Sequence, residues 1–168
     1  QARYDDGHLR RLRLVRVLVD IGGLSLADVG AVMTAIERPG AAMHDVLAEA
    51  HTALRRDPAP ADARHMAARA ATDEWLASSG WTLDPASPAR DELAAALVAL
   101  RQLGWDVGPA VFERYREAAD RLAEQEIDYV ARMPDREAAV EATVVGTVVF
   151  GRALAALRRL AQEHHSRQ

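Results

Sequence analysis

The sequence predicts an all-α protein, and three observations support this prediction. Hydrophobic residues make up 49% of the chain but only 5% of residues are aromatic, so alanine, leucine and valine supply most of the apolar content. Alanine and leucine lead the scale of helix propensities. No alternation of apolar and polar residues typical of a strand runs for more than a few positions, and there is no internal repeat. Segments with helical spacing are instead separated by glycine and proline, which punctuate helices.

The first three predicted helices are delimited by clear start and stop residues. Gly22 lies where the first helix should end, and Ser25 is a suitable N-cap for the second. Pro39 follows the second helix, and Pro58 and Pro60 stop the third because two prolines so close cannot lie inside one straight helix. The predicted helices cover about residues 8–21, 26–36 and 42–56.

Four further helices are predicted in the rest of the chain. Gly80 and Gly104 end the first two of them, while Pro109 and Pro134 stand where the last two begin. The predicted bounds are about 61–78, 89–103, 109–132 and 135–164.

The last helix has an unusual distribution of apolar residues, which surround most of its circumference. Such a helix is typically central in a bundle or shared with a second subunit. Gly146 and Gly151 each cost about 1 kcal/mol relative to alanine in a helix interior. We therefore expect a crossing helix, or else a ligand, to approach the backbone at these glycines. The apolar residues are Val140, Val144, Val145, Val148, Val149, Phe150, Leu154 and Leu157.

Charge and composition exclude several classes of protein. The formal net charge is −4, with five arginines against two acids in residues 1–19 and 15 arginines against 20 acids in residues 39–168. A basic N-terminus on an acidic body favours a small DNA-facing edge over a protein that coats nucleic acid along its whole length. There is no cysteine, which excludes disulfides and thiolate metal sites. The longest uncharged apolar stretch, residues 142–151, is shorter than the ~20 residues of a membrane span, so we expect a soluble cytoplasmic protein.

The N-terminal residues carry a pattern that composition alone does not explain. Arg3-Tyr4-Asp5-Asp6 is followed by a helix with Leu9, Leu12 and Val15 on one face, and then by Gly23-Leu24-Ser25-Leu26-Ala27-Asp28-Val29. This run resembles the second half of the DNA-binding domain of MerR-family transcription regulators, where a wing ends in an Arg-Tyr element before such a helix. The turn has one extra glycine, and Leu24 replaces the usual phenylalanine. The resemblance implies that the base-reading helix-turn-helix precedes Gln1.

The resemblance also implies how the chain would contact DNA. Arg3 can donate two hydrogen bonds to a phosphate, and the Tyr4 hydroxyl can donate another. The N-terminus of a helix capped by Ser25 offers free N–H groups to an anion, and Arg10 on the first helix would join the same clamp. Such contacts position a protein on DNA without reading its sequence. The alternative is that Arg3 and Tyr4 only cover the start of the first helix, and that the arginines form an ordinary solvated face.

The implied organisation is the C-terminal half of a winged helix-turn-helix in residues 1–38, a connecting and dimerisation helix in residues 39–57, and a helical effector-binding bundle in residues 58–168. As a MerR-like regulator, the protein would form a homodimer, distort promoter DNA and act on RNA polymerase.

Aromatic residues in the fourth to sixth helices could line an effector pocket, although core packing explains them equally well. These residues are Trp75, Trp81, Trp105, Phe112, Tyr115 and Tyr129. The six histidines are not spaced to hold one metal ion, and no catalytic arrangement or cofactor motif is present, so we expect no metal, no cofactor and no enzyme. The rival interpretation is a stand-alone helical module that binds a small molecule.

Overall fold

A computed structural model describes residues 6–38, 43–54 and 62–167, and within these ranges the chain forms helices and no strands. The all-α prediction is therefore confirmed, and the helix bounds agree with the predicted ones to within a few residues, apart from the start of the sixth helix and the division of the last. The helices are α1 Asp6–Asp20, α2 Leu26–Glu37, α3 Met43–Ala53, α4 Ala63–Ala77, α5 Pro88–Gln102, α6 Glu113–Ala131, α7 Arg136–Val145 and α8 Gly151–Ser166. A 3₁₀ turn, Pro109–Phe112, precedes α6, and a π-helical segment, Gly146–Phe150, joins α7 to α8.

The chain divides into two compact units. Of the residues that the structure describes, 6–38, 43–54 and 126–167 lie in the first unit, and 62–125 lie in the second. The end of the chain thus belongs with its beginning, because α7 supplies buried residues to the core built by α1, α2 and α3. The predicted division into residues 1–38, 39–57 and 58–168 stays a prediction.

The core of the first unit is aliphatic and is built from both ends of the chain. Leu14 and Leu18 of α1 lie against the row Val140, Val144 and Val148, which recurs every four residues along α7 and the π-helical segment. Leu18 and Val144 are completely buried. Other members of the same cluster are Leu24, Val29, Val32 and Ala50.

The turn between α1 and α2 explains the extra glycine found in the sequence. The Leu24 N–H donates to the Leu18 carbonyl at 3.2 Å, and Gly23 has a φ of +67° that a residue without a side chain adopts readily. A Cβ on Gly22 would lie 2.6 Å from Val148 Cγ1 and still closer to the Leu18 carbonyl oxygen. The first glycine therefore allows close approach, and the second allows the turn.

The two glycines of the last helix have a different role from the one expected. A Cβ on Gly146 would meet only the ring of Phe150, at 3.7 Å, and a Cβ on Gly151 would meet nothing within 4 Å. Among the described residues, no crossing helix approaches the backbone there, so that expectation was wrong for the single chain. Gly146 instead opens the π-helical segment, and Gly151 follows its last residue.

The second unit is organised around the pair formed by α4 and α5. Ala68, Ala94 and Leu97 are completely buried between these helices. Arg69 of α4 joins them at the surface: it is bonded to Asp91 of α5, to Asp73 through Nε at 3.0 Å, and to the Pro85 carbonyl at 3.0 Å. Since small residues line the contact, the helices approach closely and the polar network closes one side of it.

One helical stretch, Arg136–Ser166, is long and apolar enough by length and composition to cross a membrane. The same stretch provides Val140, Val144 and Val148 to the core of the first unit. Core helices of soluble proteins that are mostly buried pass the same test of length and composition, whereas 22% of the apolar window in this stretch is buried.

Gly22→Ala should lower the free energy of unfolding by about 1–3 kcal/mol, because the added methyl group overpacks the contact with Val148. Gly30→Ala is the matched control: nothing lies within 4 Å of its Cβ position in α2, so alanine should stabilise by roughly 1 kcal/mol through helix propensity. Urea unfolding followed by circular dichroism measures both. Equal effects of the two variants would contradict the close approach at Gly22.

The Arg69 network predicts a specific loss of stability in acid. Burial alone would raise the pKa of Asp91, but the hydrogen bond and charge of Arg69, aided by His65, outweigh it and lower this pKa below its ordinary 3.8. The ionised form therefore stabilises the folded state above about pH 4, and this contribution is lost as the pH falls through the lowered value. Asp91→Asn should reduce the acid dependence of the unfolding free energy. The control is Glu92→Gln, at the exposed neighbouring residue, which should not reduce it. Parallel pH profiles of wild type and Asp91→Asn would contradict the ion pair.

Candidate nucleic-acid interface

The first turns of α1 carry two arginines that bind acidic side chains. Arg10 is bonded through Nε to Glu141 of α7 and lies 3.9 Å from Glu137, and Arg11 pairs with Glu37 of α2. The hydrogen bond to Glu141 raises the pKa of Arg10 despite some desolvation. Arg10 therefore ties α1 to α7, and a phosphate would have to compete with two carboxylates for it.

The next two arginines of α1 are more accessible than Arg10. Arg13 is exposed, and Arg16, whose side chain is 83% exposed, makes a 3.3 Å contact with Asp20 one turn away. Sequence spacing places Arg10, Arg13 and Arg16 on one solvated sector, but only the pairing with α7 distinguishes Arg10 from the other two. Arg13 and Arg16 are the better candidates for phosphate contacts on this helix.

Ser25 caps α2 as predicted from its residue type. Its Oγ accepts from the Asp28 N–H at 3.2 Å and donates to the Asp28 carboxylate at 2.6 Å, while the Ser25 N–H donates to the same carboxylate at 3.3 Å. This is a capping box, with both partners satisfied reciprocally. The Asp28 carboxylate, at the third position of the helix, already interacts with the positive N-terminal end of the helix dipole, which a phosphate would use.

The other two predicted phosphate ligands, Arg3 and Tyr4, lie outside the described residues. Their assignment to the clamp stays a prediction from the resemblance. Of the four residues predicted for this clamp, the structure therefore places Arg10 in an ion pair and Ser25 in a helix cap.

Two of the predicted effector-pocket residues bind the N-terminal half of α6. The indole N–H of Trp75 donates to Glu113 at 3.1 Å, and that of Trp81 donates to Asp120 at 2.8 Å. Arg116 lies 5.6 Å from the centre of the Trp81 ring and pairs with Glu113. The hydrogen bond from Arg116 lowers the pKa of Glu113 despite some desolvation. The two tryptophans thus form a polar and aromatic contact within the second unit.

The remaining aromatic residues are spread over the structure. Phe112 packs against the Ala68–Leu97 cluster of the second unit. Trp105, Tyr115 and Tyr129 are 55%, 48% and 59% exposed, and Tyr129 belongs to the first unit. The structure therefore brings Trp75 and Trp81 together on α6 but does not collect all six residues around one cavity.

The first unit contains a cleft of about 410 Å³ that sequence reasoning missed. Leu14, Met33 and Ile36 provide its apolar surface. The paired arginines and carboxylates described above line it too, together with Gly7 and His8. No sequence signal could place it, because its walls come from α1, α2 and the distant α7. Among the described residues, no group of three histidine or acidic side chains could hold a metal ion.

Comparison with known proteins shows a similarity to a solved structure. No protein-family model matches the sequence, and no curated protein matches it. The fold does match the crystal structure of SCO5550 from Streptomyces coelicolor A3(2), described as a putative transcriptional regulator, with a TM-score of 0.79 and 34% sequence identity. The match covers 99% of this chain and 83% of that chain.

The helical fold and this similarity together define the class of the protein as a transcriptional regulator. More particularly, the chain belongs to the same family as SCO5550, since 34% of the aligned residues are identical over nearly its whole length.

Ser25→Ala should lower the free energy of unfolding by about 1 kcal/mol through loss of the cap. Ser25→Thr keeps the hydroxyl and should remain within a few tenths of a kcal/mol of wild type, since threonine is also an accepted N-cap residue. Urea unfolding of both variants measures the difference. If alanine and threonine have the same effect, Ser25 does not act through its hydroxyl.

Proposed function

We propose that this regulator is a MerR-type homodimer that binds and distorts promoter DNA under the control of a small-molecule effector. The observation that carries the proposal is the similarity to a transcriptional regulator along 99% of the chain. The MerR-like sequence in residues 3–29 adds the type of regulator, and implies RNA polymerase as a partner in the cytoplasm.

The proposed DNA contact is electrostatic and lies on the α1–α2 side of the first unit. Arg13 and Arg16 present exposed guanidinium groups from one helix face, and Arg3 and Tyr4 precede the same helix. Arginines so placed would hold phosphates at the ends of a dimer, and clamping both ends is what allows a protein to twist or bend the DNA between them.

Two places in the chain support an effector. The Trp75 and Trp81 contact with α6 offers aromatic surface in the second unit. The cleft of about 410 Å³ in the first unit has the size of sites that hold drug-sized molecules. The cleft also favours the second candidate function, a module that binds a small molecule without DNA.

Salt dependence of DNA binding tests the clamp, and a duplex of arbitrary sequence suffices because phosphate contacts do not depend on sequence. For Arg3→Ala and Arg13→Ala, the slope of log K against log salt should fall by about one for each phosphate that the variant no longer neutralises. Arg121→Ala, on the exposed surface of α6, should leave the slope unchanged. The measurement is fluorescence anisotropy of a labelled duplex at several salt concentrations.

Unchanged slopes for both Arg3→Ala and Arg13→Ala would contradict the proposed DNA contact. Undetectable DNA binding by wild type, combined with ligand-dependent thermal stabilisation, would favour the small-molecule module instead.

A further inference from the structure

The helix α8 projects from the first unit with little cover. Every residue from Phe150 to Arg167 is exposed except Ala156, which is partly buried. Its large apolar side chains are also exposed: Phe150 is 50% exposed, Leu154 49%, Leu157 62% and Leu160 60%. These residues recur at intervals of three and four, so they form one stripe along the helix.

The stripe points away from the core of its own unit. The buried row Val140, Val144 and Val148 would continue, at the same spacing, to Arg152. Arg152 does turn towards that unit, since its Nη2 donates to the Gly22 carbonyl at 2.6 Å. The apolar stripe of α8 lies on the other side of the helix. The π-helical segment lies between the buried valine row and this exposed stripe.

The helix α8 extends the stretch Arg136–Ser166 by 16 residues beyond the part that packs on the core of the first unit. Its apolar stripe adds contiguous exposed hydrophobic surface, which in soluble proteins commonly marks an interaction site.

The order of residues in the stripe identifies a partner. Counting outward from Leu157, leucines stand three residues away on both sides, at Leu154 and Leu160, and alanines stand four residues away on both sides. At seven residues on either side are two rings, Phe150 and His164. The stripe is thus nearly the same when read in either direction. A two-fold interface requires that one surface be complementary to itself.

We propose that α8 forms an antiparallel pair with α8 of a second copy of this chain, with the two-fold axis at Leu157. The inference rests on the proposed homodimer and assigns its interface to the end of the chain. Leu157 packs against Leu157, and Leu154 packs against Leu160 of the other copy.

The first test compares two glutamate substitutions on the same exposed helix. Leu157→Glu places two like charges on the axis and should raise the dimer dissociation constant at least about a hundredfold. Ala155 lies opposite the stripe, so Ala155→Glu should leave the dimer dissociation constant within about threefold of the wild-type value. Light scattering during size-exclusion chromatography, over a range of concentrations, measures both, and circular dichroism verifies the helical content of each variant.

The second test exploits the absence of cysteine from the sequence. Under mild oxidation, Leu157→Cys should form a disulfide-linked dimer, since a residue on the axis meets its own copy within the distance that a disulfide requires. Leu154→Cys alone should not, whereas Leu154→Cys mixed with Leu160→Cys should form the linked heterodimer. Efficient self-linking by Leu154→Cys would indicate a parallel pair and overturn the proposed arrangement.

Other outcomes separate this inference from the proposed function. A wild-type dimer that Leu157→Glu leaves intact overturns the interface but not the regulator, which the salt dependence of DNA binding tests independently. A monomeric wild type overturns both the interface and the homodimer. If the monomer co-sediments with vesicles of anionic phospholipid and Leu157→Glu does not, the stripe binds a lipid surface and not a second copy.

Discussion

The first unit depends on one packing constraint, which is the burial of Val140, Val144 and Val148 against Leu14 and Leu18. The helices α1, α2 and α3 are short, and their buried residues require a further apolar surface. The row on α7 supplies it from the far end of the chain. Gly22 permits the approach, because any side chain there would meet Val148. The ion pair between Arg10 and Glu141 then joins the same two segments at the surface.

The sequence allowed the helices to be predicted well because their ends have local causes. Ser25 caps α2 and Gly23 takes the left-handed turn before it, and both effects act within a few residues. The same is true of Pro109, which stands at the start of the 3₁₀ turn before α6. The excess of alanine and leucine also favours helices, so few segments of this chain could prefer a strand.

The candidate site was harder to predict because its residues are defined by distant partners. Arg10 and Arg13 look alike in sequence, yet Arg10 meets a carboxylate 131 residues further along and Arg13 stays exposed. The tryptophans illustrate the same limit: Trp75 and Trp81 find carboxylates on α6, while Trp105 lies at the surface after α5. Periodicity gives the face of a helix on which a residue lies, but it does not give what lies opposite that face.

The discontinuous first unit has a consequence for the order in which the chain folds during synthesis. The described part of the second unit, residues 62–125, comes from one continuous stretch, so it can complete its contacts as soon as it leaves the ribosome. The unit that begins at the N-terminus cannot do so, because α1 has to wait for α7, and closing so long a loop makes the step slow. Until then, Leu14 and Leu18 remain in water, and a nascent chain interrupted before α7 should be a substrate for chaperones and proteases.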